Sequence, residues 1–256
     1  MVDSHIAIRF LSGRGYRKLR WDFVMSESKP HPTTKHDTYA FLETAGNLFI
    51  WMMGGLYVRG AERVPKQGAV LLVSNHASLL DPVAIGVATP RRVLFMTKAE
   101  LFKIKLLGWL LDGVDCFPVK RGSADRAAYK QAIQRLGEGR CLCIFPEGTR
   151  SPDGNLQAPE AGAATLGMRM GVQLVPVYVK GSFEMMGVGR PLRRGRIDVI
   201  FGDPFSFEKG IDKDVAGQLL MSKIQELADN PDRDTPVAIR PHRFIKPSER
   251  MEKIAL

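Results

Sequence analysis

From Arg59 onward, short apolar runs alternate with longer stretches of mixed polarity. The runs "AVLLVS" (69–74), "RVLFMT" (92–97), "DCFPV" (115–119), "CLCIFP" (141–146), "QLVPVYV" (173–179) and "RIDVIFG" (196–202) are strand-length and rich in Val, Ile and Phe. Between them the pattern predicts helices from Pro82, through "KAELFKIKLLGWLL", from near Ser123, through "AGAATLGMRM", and from Asp212 to Ala228. Strands without a polar face, separated by helices, require cover on both sides of a sheet. The predicted fold is a single α/β domain over residues 59–229, with a mostly parallel mixed sheet covered by helices.

The ends read differently. Residues 1–38 form a basic appendage and linker. In it "IRFLSGRGYRKLRW" interleaves arginines with aromatics, and "SESKPHPTTKHDT" carries no apolar periodicity. Residues 39–58, "YAFLETAGNLFIWMMGGLYV", form a hydrophobic or amphipathic helix. Glu43 and Asn47 interrupt it, so it suits a membrane interface or the body of the protein better than a membrane span. The last 27 or so residues, 230–256, are rich in charge and proline and are expected to be loosely ordered.

Charge narrows the partners. A formal net charge of +10 favours something anionic, namely nucleic acid, an acidic membrane surface or a phosphorylated substrate. A basic but otherwise ordinary surface is the plainer alternative. The three cysteines, Cys116, Cys141 and Cys143, lie in apolar runs and read as buried, reduced thiols. They have no histidine partners at zinc-like spacing, so no metal is expected.

Candidate chemistry gathers where strands end. In "VSNHASLLDP", Asp81 followed by Pro82 is a helix start, with Asp81 as cap. That leaves His76 unexplained. If Asp81 folds back onto the imidazole, it fixes the tautomer and frees the other ring nitrogen as a general base. The residues themselves leave a structural histidine equally open. In "IFPEGTRS", a strand delivers Glu147, Gly148, Thr149 and Arg150 at its end, where α/β folds bind ligands. In "FPVKRG", Lys120 and Arg121 leave another strand end and add to an anion site. There is no G-x-S-x-G elbow, phosphate loop or H-E-x-x-H. The basic loop "GVGRPLRRGR" (187–196) comes without a nucleic-acid-binding signature.

Together "NHASLLD", "GVDCFPVKR", "FPEGTRS" and Pro176 in "LVPVYV" resemble, in order and spacing, the motifs of the glycerolipid acyltransferase family, and most closely its bacterial 1-acyl-glycerol-3-phosphate acyltransferases. The resemblance spans roughly residues 48–207. It implies transfer of a fatty acyl group from acyl-CoA or acyl-carrier protein, as co-substrate, to a lysophospholipid hydroxyl, with no cofactor and no acyl-enzyme. His76 would be the base and Asp81 its orienting partner. Asn75, Lys120, Arg121, Glu147, Gly148, Thr149 and Arg150 would bind the acceptor, and Pro176 would be structural or line the acyl path. Lys98 in "TKAELF" also matches a family pattern. A peripheral or monotopic place on the cytoplasmic side of the cell membrane is implied, with an anionic bilayer as partner and no nucleic acid. One departure stands out. Members commonly carry lysine in a segment resembling "FKPGAA", where this chain has "PEAGAA" with Glu160. A phosphate monoester is the first acceptor, and another lysolipid or an amino-lipid is the alternative. A catalytically silent membrane-binding homologue is the remaining reading.

Overall fold

The computed structural model describes residues 33–114, 116–120 and 125–240. Helix α1 (Thr33–Met53) leads into strand β1 (Leu56–Arg59). Then come β2 (Val70–Ser74), α2 (Asp81–Ala88), β3 (Val93–Lys98), α3 (Lys105–Gly113), β4 (Phe117–Val119), α4 (Arg126–Gly137) and β5 (Cys141–Ile144). The chain continues through α5 (Ala161–Met170), β6 (Gln173–Lys180), a short α6 (Ser182–Met186), β7 (Ile197–Phe201), α7 (Lys213–Asp229) and β8 (Val237–Ile239). These strands form one sheet in the order β4-β3-β5-β2-β6-β7-β1-β8. The pairs from β4 to β6 are parallel, β6–β7 and β1–β8 are antiparallel, and β7–β1 is parallel. The mostly parallel mixed sheet follows from the unbroken apolar runs.

β2 lies at the centre, and its alternate side chains feed separate cores. Val70 and Leu72 pack with Ala84, Ile85, Phe95 and Val177 on the α1/α2 side. Leu71 and Val73 pack with Leu136, Leu166, Leu174 and Leu220 under α4, α5 and α7. Both faces are apolar because both are covered. Each fully buried leucine contributes about 1.5–3 kcal/mol.

The connection leaving β2 runs over the first face through α2 to β3. The connection leaving β5 runs over the second face through α5 to β6. Neighbouring strands whose crossovers part in this way open a crevice beyond their carboxyl ends. His76 leaves β2 and Glu147 leaves β5, so both motifs reach that crevice.

Several boundaries differ from the sequence reading. The opening helix begins at Thr33, inside the expected linker, and ends at Met53. The strand Leu56–Arg59 takes over the last three residues, 56–58, of the expected helix, because Gly54 (φ 140) and Gly55 (φ 106) break the helix before it. Residues 230–240 are not a loose tail. Arg59, buried in β1, pairs with Asp198 of β7 and with Asp232 at 3.1 Å, and Arg63 binds Asp234 through two bonds of 2.8 Å. Those carboxylates satisfy guanidinium groups that burial would otherwise penalise, and they hold β8 on the sheet edge. Residues 1–32 and 241–256, including the basic arm 14–21, lie outside the described residues.

Candidate active site

The loop after β2 is organised by a single carboxylate oxygen. Asp81 Oδ2 lies 2.9 Å from His76 Nδ1 and accepts from the backbone N–H groups of Ala77 and Ser78, each at 2.7 Å. Asp81 is therefore the first residue of α2 reaching backward, and not the cap expected from the Asp-Pro pair; the residue before it, Leu80, makes no side-chain cap. The negative charge on Oδ2 requires His76 Nδ1 to carry the proton, which leaves Nε2 as the basic nitrogen. Asp81 is fully buried and His76 is 5% exposed, so water barely weakens the pair. The other oxygen, Asp81 Oδ1, is buried without a hydrogen-bond partner. The imidazole stacks on Phe145, with ring centroids 4.0 Å apart and planes 17° apart.

The loop after β5 grips His76 through its backbone. Glu147 Oε1 accepts from His76 N at 2.8 Å, and Ser151 N donates to His76 O at 2.7 Å. Glu147 Oε2 accepts from Gln157 N at 3.2 Å. Both carboxylate oxygens of this buried residue are thus spent on the scaffold. The geometry shows Glu147 bracing the His76 backbone, in addition to the acceptor contact expected of it. Asn75 is also tied to the scaffold. Its amide donates to Val179 O at 3.0 Å and accepts from Val179 N at 2.8 Å, extending the β2–β6 pairing by one side chain. Neither tie leaves a sequence signal, because the partners are backbone groups far away in the chain. Ser78 was missed likewise; its hydroxyl donates to Met186 O at 2.8 Å.

Burial pushes the Glu147 carboxyl up from 4.5 to about 7, against the two backbone bonds that pull it down, with Asp81 nearby adding to the rise. A raised carboxyl pKa means that the folded protein holds a proton the unfolded chain releases. This stabilisation is complete below about pH 4.5 and is lost as pH rises through about 7. Glu147→Gln keeps an acceptor for His76 N and removes the titration. In urea unfolding between these pH values, the wild type should lose stability with rising pH relative to the variant. Parallel pH profiles would refute the assignment.

The expected anion-binding residues leave the ends of adjacent strands β5, β3 and β4. Gly148, with φ 67, forms the turn, Thr149 is exposed, and Arg150 is half-buried with no ion pair among the described residues. Lys98 ends β3 and Lys120 follows β4, both exposed on the same edge of the sheet. At about 4.8 Å per strand, the end of β3 lies about 10 Å from that of β2. Asp125 ties β4 to α4, accepting from Lys120 N at 2.8 Å and from the N–H groups of Ala127 and Ala128 at 3.0 Å. Arg121 lies outside the described residues. Pro176 is buried within β6, opposite Val73 in register and against Gly202, which places it in the sheet. Among the described residues no His, Cys, Asp or Glu cluster could hold a metal ion.

The family profile described as Acyltransferase matches residues 55–180, which include all these loops. The 1-acyl-sn-glycerol-3-phosphate acyltransferase of Bacillus subtilis is 30% identical over 169 residues, covering 65% of this chain and 81% of the relative. The chain belongs to the acyltransferase family. The Streptococcus pneumoniae acyltransferase of the same name is 30% identical over 170 residues, and the chain spans 62% of its length. The lyso-ornithine lipid O-acyltransferase of Pseudomonas aeruginosa is 33% identical over 132 residues, 51% of this chain and 49% of that one. Among solved structures, the Thermotoga maritima 1-acyl-sn-glycerophosphate acyltransferase PlsC shares the acyltransferase fold. Its TM-score is 0.66 at 24% identity, covering 77% of this chain and 81% of that one.

Proposed function

We propose that this acyltransferase moves a fatty acyl group from an acyl thioester, acyl-CoA or acyl-carrier protein, to the free hydroxyl of a lysophospholipid, with 1-acyl-glycerol-3-phosphate as the first acceptor. The observation that carries this reading is the buried His76–Asp81 pair, which leaves Nε2 without a partner among the described residues. Nε2 takes the proton of the acceptor hydroxyl as its oxygen attacks the thioester carbonyl. The tetrahedral intermediate then collapses, the C–S bond breaks, and the thiolate recovers the proton from the imidazolium. Asp81 stabilises that imidazolium between the two steps. No enzyme nucleophile is required. The names of the similar proteins support the acyl-transfer class, and they include both a phosphate-bearing and an amino-lipid acceptor.

The deciding experiment offers purified protein a labelled acyl thioester with a panel of lysolipids. Labelled diacyl product supports the reading, and its absence with every acceptor sinks it. Within that assay, Arg150→Ala and Arg121→Ala should raise KM for 1-acyl-glycerol-3-phosphate about ten- to a hundredfold with little change in kcat. A fixed charge of this kind binds ground and transition states alike. Equal losses with a lysolipid lacking phosphate would assign these arginines elsewhere.

A peripheral or monotopic membrane place completes the proposal. No helix among the described residues is long and apolar enough to cross a membrane. Of the anchors expected at 49–53, Ile50 is fully buried and Phe49 and Met53 pack on the core, while Trp51 and Met52 are about half exposed. Phe41 and Leu48 share their outward face. The 188–194 loop adjoins it, with Arg194 bonded to Met52 O at 3.1 Å, and exposes Val188 and Leu192 among Arg190, Arg193 and Arg194. Apolar side chains interleaved with arginine suit an anionic bilayer better than nucleic acid. Replacing the three loop arginines with alanine should weaken binding to anionic vesicles about a hundredfold at low salt, at about 1 kcal/mol per cation. Trp51→Glu with Met52→Glu should remove the binding that survives high salt. Undiminished co-sedimentation of both variants would end the proposal for this face.

A further inference from the structure

The turn that presents Arg150 also carries a carboxylate that the acyl-transfer mechanism does not use. Glu160 is tied to the end of β5 by its backbone N–H, which donates to Pro146 O at 2.7 Å. Its side chain lies over Gly148. A Cβ built on that glycine would fall 2.3 Å from the Glu160 carboxyl carbon and 2.5 and 2.6 Å from its oxygens. The carboxylate thus fills the room left by the missing side chain, directly on the turn held against His76. Helix capping does not account for it. Glu160 occupies the N-cap position of α5, yet its side chain accepts no hydrogen bond there. Nor does an ion pair: Glu160 has none among the described residues, and Arg150, two residues from Gly148, is not its partner. Glu160, exposed and packed over Gly148, and Arg150, two residues beyond that glycine, are thus an anion and a cation near the same turn with no ion pair between them among the described residues.

We infer that Glu160 is the cation-binding half of the acceptor-headgroup subsite, and that the enzyme acylates lysolipids carrying an ammonium beside their anion. This rests on the acyl-transfer reading above and adds the second charge of the acceptor. Arg150 takes the anionic group, as it would for a phosphate monoester, and Glu160 takes the ammonium. A pair of opposite fixed charges recognises a zwitterion by attraction at both ends. A headgroup bearing only negative charge, such as that of 1-acyl-glycerol-3-phosphate, still binds through Arg150 but meets some repulsion from the carboxylate and gains no second contact. The ammonium can be supplied by a phosphoethanolamine headgroup or by the free amine of an amino-acid lipid, and the chemistry at Glu160 is the same for both.

The test measures kcat/KM of the wild type, Glu160→Gln and Glu160→Lys with 1-acyl-glycerol-3-phosphate, 1-acyl-glycero-3-phosphoethanolamine and a lysolipid bearing an amino-acid headgroup. Glu160→Gln is nearly isosteric, and thermal unfolding checks that both variants fold. The wild type is expected to acylate at least one ammonium-bearing acceptor. Glu160→Gln should lower that kcat/KM about tenfold while raising the phosphate-monoester value a few-fold, and Glu160→Lys should widen the change in the same direction. The acceptor that responds identifies the source of the ammonium. An acceptor ratio unchanged in both variants, or wild-type activity confined to the phosphate monoester, would overturn the assignment of Glu160 and leave acyl transfer standing. Failure of the wild type with every acceptor would overturn acyl transfer itself, and this inference with it.

Discussion

His76→Ala is expected to lower turnover about a thousand- to ten-thousandfold while leaving KM for the lysolipid nearly unchanged, because a general base acts in the transition state and contributes little to substrate binding. The fold should survive the change. Asp81 keeps its bonds from Ala77 N and Ser78 N, and the backbone of residue 76 stays clamped between Glu147 and Ser151. What is lost is the ring stacked on Phe145 and the free Nε2. Steady-state kinetics with saturating acyl donor make the check. Activity within tenfold of wild type would place the base elsewhere.

Asp81→Asn should cost about a hundredfold in kcat, less than loss of the base, for a reason specific to this loop. Two backbone N–H groups point at Oδ2, so the amide oxygen of the variant must take that position. It can still accept from His76 Nδ1, and the tautomer is kept. The imidazolium formed during the reaction, however, now faces a neutral amide. The new NH2 group falls where Oδ1 sits, buried and without a partner, and an unsatisfied buried donor costs about 1–3 kcal/mol of stability. A lowered midpoint of thermal unfolding should therefore accompany the slower turnover. Wild-type kcat in this variant would mean that Asp81 only shapes the loop.

Where the chemistry came from local pattern, the sequence was readable. The apolar runs announced the central strands, and the five-residue spacing from His76 to Asp81 allowed a loop to close on itself. What escaped notice was non-local. β1 follows an apolar helix without a break in hydropathy, so its first three residues merged with that helix. β8 lies in a polar stretch and exists because Arg59 and Arg63 bind Asp232 and Asp234 across more than 170 positions. The bond from His76 N to Glu147 was equally hidden, because a carboxylate after a strand carries no mark of the distant backbone N–H it accepts from. Neighbouring residues on one helix also met opposite fates, with Ile50 inside and Trp51 outside, since the helix turns about 100° per residue.

The base and its carboxylate both come from the single stretch Asn75–Asp81, while the headgroup turn hangs from β5 and Glu160 belongs to the start of α5. On the proposed reading, the proton acceptor and the headgroup contacts are therefore carried by adjacent strand ends that can vary separately, and substitution within 148–160 would alter the acceptor while His76 and Asp81 stay as they are.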